Sequence, residues 1–199
     1  MRLIFITFEG GEGSGKTTQI ELLADWLSSQ GKNVVTVRDP GGTHVSEKIR
    51  EILKCRDNAI APHTEALLYL AARAQMVIEV IFPSLNEGKF IICDRFTDST
   101  MVYQGYAGGL DVGHLCDFAS HGLVPHFTFL LQIDPKDGLA RKMGQGELDR
   151  IEAKGLEFHK KVAEGYQMMS ENTNVVVIDA ILPIQEIHNK IIEYIGGEL

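Results

Sequence analysis

The residues most able to do chemistry lie in a glycine-rich stretch near the start of the chain, FEGGEGSGKTT. The stretch has the spacing G-x-x-x-x-G-K-[ST] of a phosphate-binding P-loop, with Lys16 and Thr17 as its last two residues. Glycines in such a turn adopt positive φ and let backbone N–H groups converge on phosphate oxygens, and the N-terminus of the following helix adds partial positive charge. The motif lysine reaches the β- and γ-phosphates, and the threonine hydroxyl binds Mg²⁺. The motif therefore predicts a nucleoside triphosphate site formed by Gly10, Gly11, Glu12, Gly13, Ser14, Gly15, Lys16, Thr17 and Thr18.

Charged side chains end two other apolar runs. Asp94 and Arg95 follow KFIIC, and Arg38 ends NVVTVR. If both runs are strands of one parallel sheet, their ends share an edge with the P-loop, because ligands of such sheets bind beyond the carboxyl ends of the strands. We therefore predict that Asp94, with Thr17, holds Mg²⁺ at the phosphate site. The two arginines suit a second, smaller anion that faces the triphosphate.

A tyrosine and an arginine lie one turn apart in the predicted helix LLYLAARAQ. Tyr69 and Arg73, at positions i and i+4, share one helix face. This arrangement offers an aromatic ring for stacking and a guanidinium beside it. The alternatives are that Tyr69 is a core residue and that each arginine, taken singly, is an ordinary surface residue.

Five short apolar runs would position these residues. They are rich in Val, Ile and Phe and apolar almost throughout, which is typical of strands covered on both faces of a parallel sheet: LIFITF, NVVTVR, KFIICD, FTFLLQID and NVVVID. Helical spacing lies between them, from the P-loop to a C-cap at Gly31, over residues 64–82 with an end at Pro83, over most of residues 150–169 and over residues 184–195. We therefore predict an α/β protein with a three-layer P-loop NTPase fold, in which helices flank a five-stranded parallel sheet through right-handed crossovers.

The composition limits the classes of partner. The chain has 199 residues, which fits one domain over residues 1–199, and its 19 basic and 27 acidic side chains give a net charge of −8. Nucleic-acid polymers and anionic membranes recruit basic surfaces, so we expect neither as the main partner. We see no signal peptide and no apolar run of the roughly eighteen residues that a membrane span requires, and we expect a cytoplasmic protein.

Taken together, the motifs resemble those of bacterial thymidylate kinases. The resemblance runs from FEGGEGSGKTT through RDPGGT, LLYLAARAQ, DRFTDST and GELDRIE to VVVIDA, and so covers essentially the whole chain. It implies a five-stranded parallel sheet, usually in a homodimer. It also implies transfer of the γ-phosphoryl group of ATP to dTMP, with Mg²⁺, to give dTDP.

The resemblance implies roles on the sugar and phosphate of the acceptor. Glu12 matches the acid that accepts the 3′-hydroxyl of the sugar, although a solvated loop acid is the alternative. Arg38 and Arg95 match the pair that binds the acceptor phosphate. Tyr103 matches an aromatic side chain that crowds the 2′ position and so disfavours ribonucleotides, a task that steric exclusion suits.

The base contacts are implied in the same way. Tyr69 matches a ring, more usually Phe, that stacks on thymine, and Arg73 matches the guanidinium that reaches its O4 atom. Ser99, Thr100 and Gln104 lie where the edge of the base is read.

Phosphoryl transfer needs positioning and charge neutralisation rather than covalent chemistry. The predicted catalytic residues are Lys16, Arg95, Asp94 and Arg141. Because the acceptor phosphate is already an oxyanion near neutral pH, we expect Asp94 to organise Mg²⁺ or the arginines rather than to accept a proton. The segment ARKMGQGELDR resembles the family's lid, predicted over about residues 141–150, whose closure would keep water from accepting the phosphoryl group. Gly144 and Gly146 would make it mobile.

The chain departs from the family's pattern at the γ-phosphate. Family members generally have an arginine either inside the P-loop or in the lid just before GELDR. This chain has Gly13 in the first place, and Met143 and Gln145 in the second. Either Arg141 supplies the missing charge, or the P-loop lysine, Arg95 and Mg²⁺ do; we favour Arg141.

Two other functions stay open on the sequence. A kinase for another nucleoside monophosphate would share the P-loop and differ in its acceptor pocket. A nucleotide-dependent switch protein would also share it, and DPGG fits the D-x-x-G of GTPases. Against the switch, no N-K-x-D or T-K-x-D guanine motif is present where one belongs, and a switch has no use for arginines and a stacking ring at a second site.

Overall fold

The computed structural model describes residues 4–144 and 146–197. Within them, a five-stranded, entirely parallel sheet has the order β2-β3-β1-β4-β5. The strands are β1 Phe5–Glu9, β2 Val34–Arg38, β3 Phe90–Asp94, β4 Phe127–Gln132 and β5 Val175–Asp179. All five predicted strands are confirmed, although Leu3, in the first apolar run, lies outside the described residues.

The register of the sheet brings the ends of its strands to one edge. Phe8 of β1 and Arg38 of β2 both pair with Asp94 of β3. The P-loop follows directly after Glu9, the last residue of β1. The backbone positions of the P-loop, Arg38 and Asp94 therefore meet at the edge where a parallel sheet binds its ligands.

Helices cover both faces of the sheet, which confirms the three-layer α/β fold. They are α1 Lys16–Ser29, α2 His44–Lys54, α3 Pro62–Met76, α4 Phe82–Asn86, α5 Thr97–Thr100, α6 Gly113–Ser120, α7 Pro135–Met143, α8 Leu156–Met169 and α9 Ile184–Gly196. Helices α1 and α9 pack on one face, where Leu23 and Ile191 meet Ile6. Helix α3 packs on the other, where Met76 meets Phe5. Neighbouring strand residues thus face opposite cores, as the pleat requires.

The prediction that Pro83 ends the long helix is wrong. Helices α3 and α4 are joined by a π-helical segment, Val77–Ile81, so that one helix runs over residues 62–86 and contains the proline. The backbone N–H of Phe82 bonds to the carbonyl of Val77, five residues back. Proline breaks an α-helix because it lacks an N–H and clashes with the carbonyl four residues earlier, and a wider π turn relieves that clash.

The helix predicted over most of residues 150–169 is confirmed as α8, Leu156–Met169. A short 3₁₀ turn, Glu152–Lys154, comes first, and α8 begins after Gly155. Gly155 has φ +86, a backbone conformation that glycine adopts readily and other residues rarely do. The two remaining helix predictions are confirmed: α1 ends just before Gly31, with φ +73, and α9 has nearly the predicted bounds.

The expectation that no apolar stretch is long enough for a membrane is wrong for the helix over residues 62–86. This helix of 25 residues has a mean hydropathy of 1.5 in its most apolar window and meets the criteria of length and composition. It packs against the sheet through Met76, Val77 and Ile81, which are fully buried. Core helices of water-soluble proteins meet the same criteria.

Candidate active site

One cleft of about 590 Å³ lies at the carboxyl edge of the sheet. The predicted residues that line it are Glu12, Gly13, Ser14, Gly15, Lys16, Thr17, Thr18, Tyr69, Arg73, Asp94, Arg95, Ser99, Thr100, Tyr103, Gln104 and Arg141. Gly10 and Gly11 line a smaller pocket nearby, and Arg38 lines neither. The structure therefore brings together residues from the P-loop, α3, the end of β3 and the region of the predicted lid.

The P-loop wraps around the side chain of its own lysine. The Nζ atom of Lys16 donates to the carbonyl oxygens of Gly10 and Gly11, at 3.2 and 3.0 Å, and lies 3.3 Å from Ser14 Oγ. Gly13 and Gly15 have positive φ, as a tight phosphate-binding turn requires. Burial and the charge of Arg95 lower the pKa of Lys16 to about 8. Anionic oxygens in the loop would favour its charged form, because an opposite charge offsets the cost of burial.

Arg95 links the P-loop to the other half of the cleft. Its Nη2 donates to Glu12 Oε1 at 3.0 Å, its Nη1 donates to Ser99 Oγ at 3.1 Å, and the guanidinium lies 5.0 Å from the ring centroid of Tyr103. The φ of Arg95 is +70, an uncommon value for a residue other than glycine. The end of β3 thus turns the guanidinium into the cleft through a strained backbone, as is common at functional sites.

Glu12 is held as a carboxylate. It accepts hydrogen bonds from Arg95 and, at 2.7 Å, from the hydroxyl of Tyr103. Burial raises the pKa of Glu12, but the charges of Arg95 and Lys16 and the Tyr103 bond outweigh burial and lower the pKa to about 2. Glu12 is therefore a charged acceptor between the P-loop and the second half of the cleft, rather than a solvated loop acid.

Sequence reasoning missed Glu9, which supports this arrangement. Its Oε1 accepts from the backbone N–H of Phe96 at 2.8 Å, and its Oε2 accepts from Ser99 Oγ and Tyr166 Oη, at 2.6 and 2.7 Å. Burial raises its pKa, even though Arg95 and these hydrogen bonds act in the opposite direction. The sequence feature that could have identified Glu9 is its position as an acidic residue at the end of an otherwise apolar strand.

Asp94 has the features that a magnesium ligand needs. Its Oδ1 atom is buried and has no hydrogen-bond partner among the described residues, and Thr17, with an exposed side chain, lines the same cleft. No group of three or more His, Cys, Asp or Glu residues in the described part of the chain could hold a metal by itself. A cation here would therefore take its other ligands from phosphate oxygens and water, as Mg²⁺ does in nucleotide sites.

Tyr69 and Arg73 line the cleft together, but Arg73 is more engaged than the sequence suggested. Only 1% of Arg73 is exposed. Its Nε donates to Asp39, and its Nη2 donates to the Phe96 carbonyl and to Thr100 Oγ1, at 2.9 and 2.7 Å. The remaining nitrogen, Nη1, has one hydrogen-bond partner among the described residues, the sulfur of Cys116 at 4.0 Å. One N–H-bearing edge of the guanidinium is thus left for a ligand.

Arg38 does not line the cleft, unlike Arg50, Arg73, Arg95 and Arg141. The Nη2 of Arg38 pairs with Glu47 Oε2 at 2.8 Å, and 53% of the side chain is exposed. Arg50, which sequence reasoning missed, lines the cleft instead, and its Nη1 donates to the carbonyl of Pro40 at 2.9 Å. Thr43 caps α2 by accepting a hydrogen bond from the N–H of Ser46. A threonine at this position is a sequence pattern that could have predicted the start of α2, the helix that contains Arg50.

Arg141 contacts the backbone of the P-loop. It belongs to α7, and its Nη1 donates to the carbonyl of Ala180 at 3.2 Å and lies 3.4 Å from the carbonyl oxygen of Gly13. Met143, at a place where an arginine is common in the family, is exposed, and Gln145 lies outside the described residues. Among the candidates for the missing cation, Arg141 is therefore well placed beside the P-loop.

Sequence reasoning also missed an apolar wall of the cleft. After β5, the residues that line it are Ala180, Leu182, Ile184 and Ile187. Gln19 of α1 lies beside this wall and donates to the carbonyl of Ile184 at 3.0 Å. A wall of aliphatic side chains next to a phosphate-binding loop suits the base of a nucleotide, since ligand pockets are mostly apolar with a few polar groups.

Comparison with known proteins identifies the family. The family model described as Thymidylate kinase matches residues 8–191. Curated relatives, each named Thymidylate kinase, include those of Thermoanaerobacter sp. (strain X514), 43% identical over 96% of both chains, and Carboxydothermus hydrogenoformans, 44% identical over 99% of this chain and 98% of the relative. The relative from Chlorobaculum tepidum is 45% identical over 98% of this chain and 97% of its own. The chain belongs to the thymidylate kinase family.

Proposed function

We propose that this protein transfers the γ-phosphoryl group of ATP to dTMP and gives dTDP. The observation that carries this proposal is Arg95, whose guanidinium contacts Glu12 in the P-loop on one side and Ser99 on the other, inside one cleft. A triphosphate in the P-loop and a monophosphate beside Ser99 would meet at this guanidinium. Membership of the thymidylate kinase family gives the identity of the two nucleotides.

The P-loop side would bind ATP. Backbone N–H groups of the loop and Lys16 would bind the phosphates, and the wall that includes Leu182 and Ile184 would contact the adenine. Asp94 and Thr17 would hold Mg²⁺, which supplies neutralisation of charge between the phosphates when bound.

The opposite side would bind dTMP. Arg95 and Arg50, two of the arginines that line the cleft, would bind the acceptor phosphate, whereas Arg38 would have to leave Glu47 to join them. Glu12 would accept the 3′-hydroxyl, and the ring of Tyr103 would exclude a 2′-hydroxyl. Tyr69 would stack on the thymine, whose edge would meet the set Arg73, Ser99, Thr100 and Gln104.

The reaction requires no proton acceptor. An oxygen of the acceptor phosphate forms a bond to the γ-phosphorus, the bond from that phosphorus to the β–γ bridging oxygen breaks, and the electron pair leaves with ADP. Lys16, Arg95 and Arg141 would stabilise the charge of the transferring group, which is the main contribution that a protein makes to such a reaction. Residues 141–150 would serve as the lid of a single domain over residues 1–199.

We also infer a cytoplasmic homodimer that acts on small nucleotides and not on nucleic-acid polymers or membranes. A net charge of −8 supports the choice of partner. On the long helix, Leu67 and Ile78 are 57% and 51% exposed, which supports this helix as the surface between two copies of the chain.

An assay of ADP release with a panel of acceptors tests the proposed function. With ATP and Mg²⁺, we expect rapid release with dTMP and much slower release with UMP, AMP and GMP, and dUMP serves as the nearest analogue. A faster reaction with another monophosphate would assign the chain to a different acceptor. Nucleotide binding without any acceptor-dependent release would instead favour the switch protein.

A further inference from the structure

The side-chain amide of Gln104 has a fixed direction. The residue lines the cleft, only 4% of it is exposed, and its Nε2 donates to Oε1 of Glu65 at 3.0 Å. An ionised carboxylate only accepts hydrogen bonds, so the amide must turn its NH₂ group to Glu65. The amide oxygen of Gln104 has no hydrogen-bond partner among the described residues and is the atom left for a ligand.

Two cationic side chains keep Glu65 ionised and in place to accept the hydrogen bond from Gln104. Nη1 of Arg150 donates to its Oε2, and Nζ of Lys154 lies 2.9 and 3.2 Å from its two oxygens. Burial raises the pKa of Glu65, but the hydrogen bonds from Gln104, Lys154 and Arg150 outweigh burial and lower it. Glu65 is therefore an ionised acceptor for all three neighbours.

Arg73 adds a hydrogen-bond donor on the side of the cleft that Gln104 lines. Glu65, Tyr69 and Arg73 occupy positions i, i+4 and i+8 of α3 and share one face of the helix. Nη1 of Arg73, whose one partner in the described part of the chain is the Cys116 sulfur, is the nitrogen that can donate to a ligand. This side of the cleft thus offers one donor, Arg73 Nη1, and one acceptor, the amide oxygen of Gln104. Thymine and uracil have the complementary edge, a carbonyl beside a ring N–H, whereas cytosine has an amino group beside a bare ring nitrogen.

We propose that Glu65 is a positioning residue that determines base specificity: it keeps the amide oxygen of Gln104 towards the cleft, so that the site accepts bases with a ring N–H and rejects cytosine. The inference rests on the proposed function, because it places the acceptor base beside Gln104. Glu65 acts through Gln104 and does not itself touch the base.

The variant Glu65→Gln should reverse the direction of the Gln104 side-chain amide. Glutamine has one carbonyl oxygen, and Arg150 and Lys154 can only donate, so they would take that oxygen. The NH₂ group of the new side chain would then face Gln104, whose own oxygen must turn to accept it. The cleft would present a donor in place of an acceptor, which matches the bare ring nitrogen of cytosine.

The test is kcat/KM for dTMP, dUMP and dCMP, at saturating ATP and Mg²⁺, in the wild type and in Glu65→Gln. We expect the ratio of dTMP to dCMP to fall by about tenfold or more, since a mismatched buried hydrogen bond leaves polar groups unpaired. The ratio of dTMP to dUMP should stay within about twofold, because both bases have the same edge. The KM for ATP should not change.

Two controls separate this role from a purely structural one. Lys154→Met removes one partner of Glu65 but keeps its bond to Gln104, and should leave the ratio of dTMP to dCMP unchanged. In a Gln104→Met background, Glu65→Gln should have no further effect on that ratio, because the coupling runs through the amide. The double variant Glu65→Gln/Lys154→Met leaves a single cation for the new carbonyl, carries the same expectation as Glu65→Gln and serves if that variant does not fold.

An unchanged ratio of dTMP to dCMP in a folded Glu65→Gln protein would overturn the proposal. An equal effect in the Gln104→Met background would overturn it too. A wild-type protein that does not prefer dTMP and dUMP to dCMP would instead contradict the proposed function, so the two failures are distinguishable.

Discussion

Gly13 of the P-loop and Gly138 of α7 touch backbone to backbone. A Cβ atom on Gly13 would lie 2.2 Å from the carbonyl oxygen of Gly138, and a Cβ atom on Gly138 would lie 2.2 Å from the carbonyl oxygen of Glu12. This contact gives a physical reason for the missing P-loop arginine, because no side chain fits at Gly13 while α7 lies so close. The same approach brings Arg141 of α7 to the P-loop, where a cation is needed.

We expect Gly138→Ala to disturb the P-loop. Alanine favours a helix over glycine by about 1 kcal/mol, but a backbone overlap that no rotamer can relieve should outweigh this gain. A net loss of about 1–2 kcal/mol would lower Tm by about 2–8 °C, and the KM for ATP should rise. The control is Gly113→Ala in α6, where an added Cβ meets nothing within 4 Å. Equal Tm and ATP KM values in both variants would show that the contact does not position the loop.

Arg141→Ala should slow the transfer step with little effect on ATP binding. A cation that stabilises the transferring group acts mainly in the transition state, so we expect kcat to fall by about a hundredfold or more and the Kd for ATP to change by less than about threefold. Single-turnover kinetics and calorimetry measure the two effects. Lys136→Ala, on the exposed face of the same helix, is the matched control. If kcat were unchanged while ATP still bound, Lys16, Arg95 and Mg²⁺ would have to supply the charge.

The parts of the fold that the sequence predicted have local signals. Each strand is a short, almost wholly apolar run, and glycine spacing marks the turn after the first one. Pro83 gave a wrong helix end, and the start of α8 after Gly155 was left open, for a related reason. Whether a proline ends a helix depends on the hydrogen-bond spacing before it, and whether a glycine breaks one depends on its φ. Neither property is visible in the pattern of apolar residues.

Within the site, residues at strand ends were predictable and their supports were not. Asp94 and Arg95 follow from the rule that a parallel sheet gathers the ends of its strands at one edge. Tyr166 donates to Glu9 across a separation of 157 residues, which only the packing of α8 brings about. Arg50 lines the cleft, whereas Arg38 pairs with Glu47 outside it. Such choices among tertiary partners leave no trace in residue spacing.

Asp94→Asn should weaken the binding of the Mg²⁺ that accompanies ATP. An amide has one oxygen and no negative charge, so it is a poorer ligand for a hard cation than a carboxylate. We expect the Mg²⁺ concentration at half-maximal rate to rise by about tenfold and dTMP binding to change little, as titration calorimetry of dTMP without metal can show. Asp25→Asn, on the exposed face of α1, is the control. An unchanged Mg²⁺ dependence would mean that Asp94 organises only the arginines.

The low pKa of Glu12 predicts a loss of stability in acid. Its ordinary value is 4.5, and in the folded protein it falls to about 2, so the folded state binds fewer protons than the unfolded state between these values. The stabilisation is fully present above pH 4.5 and is lost as the pH falls towards 2, by about 3 kcal/mol at most. We expect Glu12→Gln to be less stable than the wild type at pH 6 and to lose less stability between pH 6 and pH 3. Urea unfolding at several pH values measures both quantities, with Glu171→Gln, at an exposed position, as the control. Parallel stability curves for the wild type and Glu12→Gln over this range would contradict the ion pair between Glu12 and Arg95.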